Sequence, residues 1–373
     1  MLLHLGPFVS TESPVAANRD EECATPGLED SCNRRLAVMT IHATLPKAEL
    51  HLHIEGTLEP ELILELAARN NITLPHPTLA ELRAQYEFTD LQSFLDLYYA
   101  NMAVLITEAD FADMTRAYLR RAQAAGVRHA EIMFDPQAHL GRGIPLTTAV
   151  GGIASALAGS EAEFGITTGL IAAFLRDETE ESALAVLDEL LAAGAPIIGI
   201  GLDSAEVGNP PSKFIRLFRR AREAGLRLVA HAGEEGDASY VSDALDLLGA
   251  ERIDHGIRAI EDAALVKRLA ADQVPLTVCP LSNVRLRAVD TLAAHPLPQM
   301  LSSGLNVCVN SDDPAYFGGY VEQNFASLVA EFGFGKDILE RLAGNSIRSS
   351  FAADARKAEL LAELDGWRAA QGS

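Results

Sequence analysis

The sequence predicts an α/β fold, a closed (β/α)8 TIM barrel with a helical insertion after its first strand. Three observations carry that prediction. From residue 45 onward, short β-branched or apolar runs alternate with long Ala/Leu/Glu-rich segments, the pattern of parallel strands joined by crossover helices. The runs number eight, the count that closes such a barrel. At 373 residues the chain exceeds a typical single domain, yet a decorated barrel reaches this size as one domain.

Residues 1–40 mix Pro, Ser, Glu and Asn without a period and are expected to form a disordered N-terminal extension, or to reflect a start placed too early, with Met39 as the alternative. "MLLHLGPFVS" has no basic region and does not read as a signal peptide. The barrel is expected over 41–366. Its first strand is "ELHLHI" at 49–54. Residues 58–126 hold several helices and no strand, including "TDLQSFLDLYYANMAVL". An insertion there lies over the C-terminal face of a barrel and reads as a lid. The remaining strands are "HAEIMFD" (129–135), "TTGLIAAF" (167–174), "IIGIGLD" (197–203), "LRLVAHAG" (226–233), "RIDHG" (252–256), "PLTVCPL" (275–281) and "NVCVNSDD" (306–313). Ala-rich helices such as "EESALAVLDELLAAG" separate them, and 335–366 reads as closing helices.

Composition narrows the class. The chain is 48% hydrophobic and 22% charged, enough for a large core. Its net charge of −22, with no compensating Lys/Arg stripe, argues against nucleic acid or an anionic membrane as partner and for a small neutral or cationic substrate. No apolar run reaches the roughly 18–20 residues of a membrane span. Cys23, Cys32, Cys279 and Cys308 form no C-x-x-C and no disulfide framework, which fits a reducing, cytoplasmic compartment.

Polar residues at the C-terminal ends of barrel strands point toward the site. Strand 1 ends His51-Leu52-His53, and a period of two puts both imidazoles on one side. Strand 5 adds His231 and Glu234, strand 6 His255, strand 8 Asp312 and Asp313. A lone buried histidine is usually a hydrogen-bonded core residue, and Asp-Asp-Pro alone is usually a turn or cap. Gathered on one rim, these buried polar groups need a partner, and a divalent metal supplies one. Imidazoles with a carboxylate suit zinc, other transition metals less specifically. A binuclear centre would need a bridging group, usually lysine, after strand 4; "IIGIGLDSAE" has none, so one metal ion is expected.

"LPKAELHLHIEG", "HAGEEG", "RIDHGI", "CPLSN" and "VNSDDP" resemble the adenosine/adenine deaminases of the amidohydrolase superfamily, over about residues 45–351. "HIEGTLEPEL", "FLDLYYANMAVL", "FDPQAH", "GLDSAEVGNPP" and "NSDDPAYFGGY" are similar to the branch acting on free adenine. The resemblance implies one zinc ion on His51, His53, His231 and Asp312. It implies Glu234 as proton donor to N1, His255 beside the attacking water, and Asp313 at the purine N7 edge. The implied reaction is hydrolytic deamination of adenine to hypoxanthine and ammonia in purine salvage. N6-substituted (cytokinin-type) adenines and adenosine are the alternative substrates. A cytidine-deaminase site is excluded, because "HIE" at 53–55 has no P-C-x-x-C to complete it. A catalytically dead barrel serving as a binding module is disfavoured by the intact set.

Two glutamates depart from the adenosine-acting pattern. Glu206 stands where those enzymes resemble a glycine, and is expected to accept N9–H of the free base and crowd a ribose. Glu55 stands where they carry an aspartate that contacts ribose, and is expected to share in recognition. Phe94, Tyr98 and Tyr99 have the spacing of a helix packing its own core; Asn283, Arg285 and His129 read as structural, and Cys308 as a buried small hydrophobe.

Overall fold

The computed structural model describes residues 43–88 and 91–371. The chain divides into Met1–Ile41 and His42–Ser373. The N-terminal extension read above as disordered lies outside the described residues. Eight strands follow in sequence: β1 Lys47–Glu49, β2 Val127–Phe134, β3 Thr167–Leu175, β4 Ile197–Asp203, β5 Arg227–Ala232, β6 Arg252–His255, β7 Pro275–Val278 and β8 Asn306–Val309. Each pairs in parallel with the next, in the order β1 to β8. The ring closes just beyond β1 and β8. There Leu52 bridges Asp312, the His53 N–H donates to the Asp312 carbonyl at 3.1 Å, and the Asp312 N–H donates to the His51 carbonyl at 3.1 Å. Below that seam, the Asn310 side chain stands in for a strand partner, its Oδ1 accepting the Leu50 N–H at 2.8 Å.

The strands are buried on both faces, as expected when helices cover a parallel sheet. Met133, Ile171, Ala173 and Val229 pack into one fully buried cluster. The fully buried Arg252 also pairs with Glu131, donates to the Leu50 carbonyl at 3.0 Å and lies 4.7 Å from the Phe351 ring centre. Burial alone would raise the Glu131 pKa, but Arg252 and His129 outweigh it and hold it near about 2.

Strand boundaries shift most at β1, β7 and β8, with β1 at Lys47–Glu49 where 49–54 was expected. At β7 the strand stops at Val278 and a helix, Pro280–Arg285, begins where the sequence suggested continuing strand. Pro280 offers no N–H to a ladder and fits the first helical turn, so it ends the strand. At β1 and β8 the regular ladder is shorter than expected, because the residues beyond it are held by single bridges at the seam.

The insertion between β1 and β2 carries helices Pro60–Arg69, Leu79–Ala84, Leu91–Asn101 and Glu108–Ala124. Two begin with capping boxes, Thr78 with Glu81 and Thr107 with Asp110, each satisfying N–H groups left open in the first turn. Leu91–Asn101 buries Leu91, Phe94, Leu95 and Tyr98, an i, i+3, i+4, i+7 stripe, against Leu286, Tyr316 and Phe317. It thereby roofs the C-terminal face. Helices Lys336–Ser349 and Asp354–Ala370 close the chain, and Ser346 Oγ accepts the Ala48 N–H of β1 at 3.0 Å. No helix among the described residues is long and apolar enough to cross a membrane.

Candidate metal and active site

Four of the expected residues converge. His51 and His53 follow β1, His231 lies in β5, and Asp312 follows β8. His231 Nε2 lies 3.1 Å from His51 Nε2 and 3.3 Å from His53 Nε2. Asp312 Oδ1 lies 3.4 and 3.7 Å from the same two nitrogens. All four side chains are buried, and they form a group able to hold a metal ion. Donors about 2.0–2.1 Å from a common centre in a tetrahedral array stand about 3.3 Å apart, so the spacing fits ligands sharing one ion. Without one, three imidazoles would face each other with too few protons to bridge them.

The far sides of the rings are backed by carboxylates, the arrangement that fixes metal-binding imidazoles. Thr277 Oγ1 lies 3.1 Å from His51 Nδ1 and donates to Asp254 Oδ1 at 2.7 Å. Asp254 Oδ2 stands 3.7 Å from His231 Nδ1. Asp203 Oδ2 and Asp135 Oδ1 stand 3.5 and 3.7 Å from His53 Nδ1. Ser282 Oγ donates to Asp312 Oδ2 at 2.7 Å. Burial pushes the Asp312 carboxyl up, but the neighbouring His51 holds it well below the usual range. Burial, with His51 adding, pushes His231 well below its ordinary value, toward the neutral form that ligates.

Beside the cluster stand Glu234, His255 and Asp313. Burial, reinforced by Asp312 and Glu206, raises the Glu234 pKa well above the usual carboxylate range. Burial lowers His255 to about 3 and keeps it neutral. His255 Nε2 lies 3.5 Å from Glu234 Oε2 and 3.7 Å from Asp312 Oδ2. Asp313 is likewise raised, by burial and then by Asp312, and its Oδ1 has no partner. His255 and Asp312 hold φ of 63° and 65°, a left-handed conformation costly for residues with a Cβ and typical of sites where geometry outranks comfort. Gly56 permits the close approach: a Cβ there would stand 2.0 Å from Asp313 Oδ1.

These groups line a small, tight cavity of about 40 Å³ at the C-terminal face of the barrel. Leu91, Phe94, Leu95, Tyr98 and Tyr99 roof it. The aromatic trio therefore serves both as helix core and as cavity wall.

Two of the expected substrate contacts lie outside the cavity lining. Glu206 does not line the cavity. Its Oε1 accepts the Gly233 N–H at 2.7 Å, and its Oε2 accepts the N–H groups of Glu234, Glu235 and Gly236 at 3.0, 2.8 and 2.9 Å. With its lone pairs committed, it holds the turn that carries Glu234 and has no acceptor left for a base. Glu55 is also outside the cavity lining and fully buried; its Oε1 accepts from His139 Nε2 at 2.7 Å and from the Asp135 N–H at 3.2 Å.

Sequence reasoning read Asn283 as structural only. Its amide lies 3.1 Å from His255 Nδ1 and 3.4 Å from Glu234 Oε1, while its Oδ1 lies 3.2 Å from His295 Nε2. It also passed over Asp135 and Asp203, although both stand at strand ends, where the same rule that found the histidines applies.

A barrel that gathers three histidines and an aspartate from its first, fifth and last strands belongs to the class built to hold a catalytic metal at the C-terminal rim. The chain belongs to the adenosine deaminase family, whose sequence profile matches residues 46–367. It is 59% identical over 329 residues to an adenine deaminase of Streptomyces coelicolor, covering 87% of this chain and 96% of that one. It is 56% identical over 334 residues to an adenine deaminase of Cupriavidus taiwanensis, covering 88% and 95%. The crystal structure of an adenine deaminase from Arthrobacter aurescens superposes with a TM-score of 0.86 at 71% identity, covering 87% of this chain and 99% of that one. An amidohydrolase from Burkholderia ambifaria, solved with bound zinc, superposes with a TM-score of 0.79 at 29% identity, covering 89% and 94%.

Proposed function

We propose that this protein hydrolyses adenine to hypoxanthine and ammonia, using one zinc ion held by His51, His53, His231 and Asp312. The observation that carries the reading is the 71% identity, over 99% of its length, to a protein described as an adenine deaminase. The zinc assignment is supported by the donor set and by the zinc-bearing relative. When bound, zinc lowers the pKa of a coordinated water from 15.7 to about 7 and so provides a nucleophile at neutral pH. The rest falls to the chain's own side chains. Addition of water at C6 pushes an electron pair onto N1, and the protonated Glu234 donates its proton there. Neutral His255, between Glu234 and Asp312, takes a proton from the attacking water and returns one to the departing amine. Asp313, its carboxyl raised by burial and then by Asp312, faces N7 and fixes the ring through one shared proton. The aromatic roof excludes bulk water, which strengthens each of these interactions. A small purine base, not a polymer, fits an enclosed cavity of this kind, and a cytoplasmic location matches the buried free thiols of Cys279 and Cys308.

The test is ammonia release from adenine, adenosine and N6-alkyl adenines by zinc-loaded protein, with and without chelator. Adenine is expected to be the best substrate, and chelation to abolish turnover. Glu234→Gln should retain zinc and lose about 10²–10⁴-fold in rate. Inertness toward adenine, or a strong preference for adenosine or an N6-alkyl adenine, would overturn the reading.

A further inference from the structure

We infer that the carboxyl pair Asp135–Asp203 recognises the unsubstituted edge of the free base, accepting its N9–H, and so sets the preference for base over nucleoside. The inference rests on the adenine reading above.

Asp135 follows β2 and Asp203 ends β4; both are buried, 2% and 3% exposed, and both line the cavity. Asp135 Oδ2 accepts from the Tyr98 hydroxyl at 3.3 Å. Asp135 Oδ1 and Asp203 Oδ1 have no hydrogen-bond partner. His53 Nδ1, at 3.5 Å or more from each residue, has at most one proton to offer two carboxyls. Burial, with Asp135 adding, raises the Asp203 carboxyl, and the two carboxyls hydrogen-bond to each other; even so the pair presents more acceptor oxygens to the cavity than it has protons, and such groups are rare unless a ligand or water completes them.

The topology says which edge of a purine meets them. The groups assigned to C6 and N1 come from β1, β5, β6 and β8, whereas Asp135 and Asp203 come from β2 and β4. In adenine, N3 and N9 are the ring nitrogens on the side remote from C6. A base seated with C6 toward the first set turns N9 toward the second. The free base carries a hydrogen on N9 that the pair's spare acceptor oxygens can take; a nucleoside carries a sugar there, which removes that donor and fills the space. Sites built to hydrogen-bond a substrate N–H reject analogues lacking it by large factors, because their buried acceptors are left unpaired. The nearby glutamates do not compete for this role, since Glu206 is saturated by backbone donors and Glu55 lies outside the cavity lining.

The test uses zinc-loaded Asp203→Asn and Asp135→Ala, with kcat/KM for adenine and for 9-methyladenine and zinc content per chain. Because the pair also backs His53, both substrates are expected to lose rate, but adenine more than 9-methyladenine, so that their kcat/KM ratio collapses at least about tenfold. An unchanged ratio, with both substrates falling together, would overturn the inference and leave the pair as support for His53. Should a variant misfold, inhibition of the unaltered protein decides: 9-methylpurine should bind at least about 30-fold more weakly than purine, and equal inhibition overturns the inference. Absence of adenine turnover by the unaltered protein would defeat the functional reading itself, a result distinct from an unchanged ratio.

Discussion

Replacing Glu206 by Gln removes one charge and exchanges one acceptor for a donor, in a side chain that touches no substrate. In the native protein its two oxygens accept four consecutive backbone N–H groups, from Gly233 to Gly236. Bonds to a charged acceptor contribute about 1.5–3 kcal/mol each in isolation, and here they act as a unit. The glutamine can turn its remaining oxygen to the three donors at Oε2, but its NH2 then faces the Gly233 N–H, donor against donor. Arg176, whose Nη1 is 4.0 Å from Glu206 Oε1, also loses its nearest counter-charge. A cost of about 2–4 kcal/mol follows from one lost bond and three weakened ones. The change reaches the chemistry through Glu234, which Glu206 helps to keep protonated, after burial and Asp312. Glu234 acts in its protonated form, so activity is present below its pKa and lost above. Deleting a neighbouring negative charge lowers that pKa and moves the alkaline limb of kcat/KM to lower pH. Thermal melting and the pH profile with adenine measure both effects. An unchanged melting midpoint together with an unmoved alkaline limb would refute the reasoning.

Asp254→Asn should weaken zinc binding about 10–100-fold, read by competition with a chromophoric chelator, because it removes the carboxylate behind both His51 and His231. Gly56→Ala should raise KM for adenine and lower kcat while leaving zinc content at one per chain, since the new Cβ would meet Asp313 at 2.0 Å and must displace it. Glu131→Gln tests the buried pair with Arg252. The folded-state pKa of Glu131 is depressed from 4.5 to about 2, so its stabilisation is present above the unfolded value and is lost as pH falls through that window. Urea midpoints should accordingly separate wild type from variant at about pH 7, and the gap should narrow toward about pH 2–3.

The barrel was legible because strand–helix alternation survives in any stretch where propensity and burial agree. It blurred where side chains replace backbone partners, as at Asn310, or where Pro280 converts a strand end into a helix start. The ligand set was legible because His-x-His and the strand-end rule concern direction along the chain, which sequence records. Glu206 was misassigned for a physical reason. A carboxylate at a strand end is equally suited to a substrate N–H and to a run of backbone N–H groups, and only the path of residues 233–236 tells which donors arrive first. Asn283 was read as structural because an amide has no titration and no ligand preference to draw attention; its contacts with His255 and Glu234 appear only when β6 and the turn after β7 are brought together.

The seam described above bears on how the molecule assembles. Seven of the strand pairings join sequence neighbours, whereas the closing contact joins positions 260 residues apart. Ordering so long a loop is the slow, entropically costly event in forming such a ring. The residues that make the closing hydrogen bonds are His51, His53 and Asp312. Closing the ring and bringing the metal ligands together are therefore one event. A chain whose strands are formed but whose ring is open has helical and sheet content without a site. In refolding, recovery of circular dichroism should precede recovery of activity, and zinc, by binding only the closed ring, should draw the final population shut.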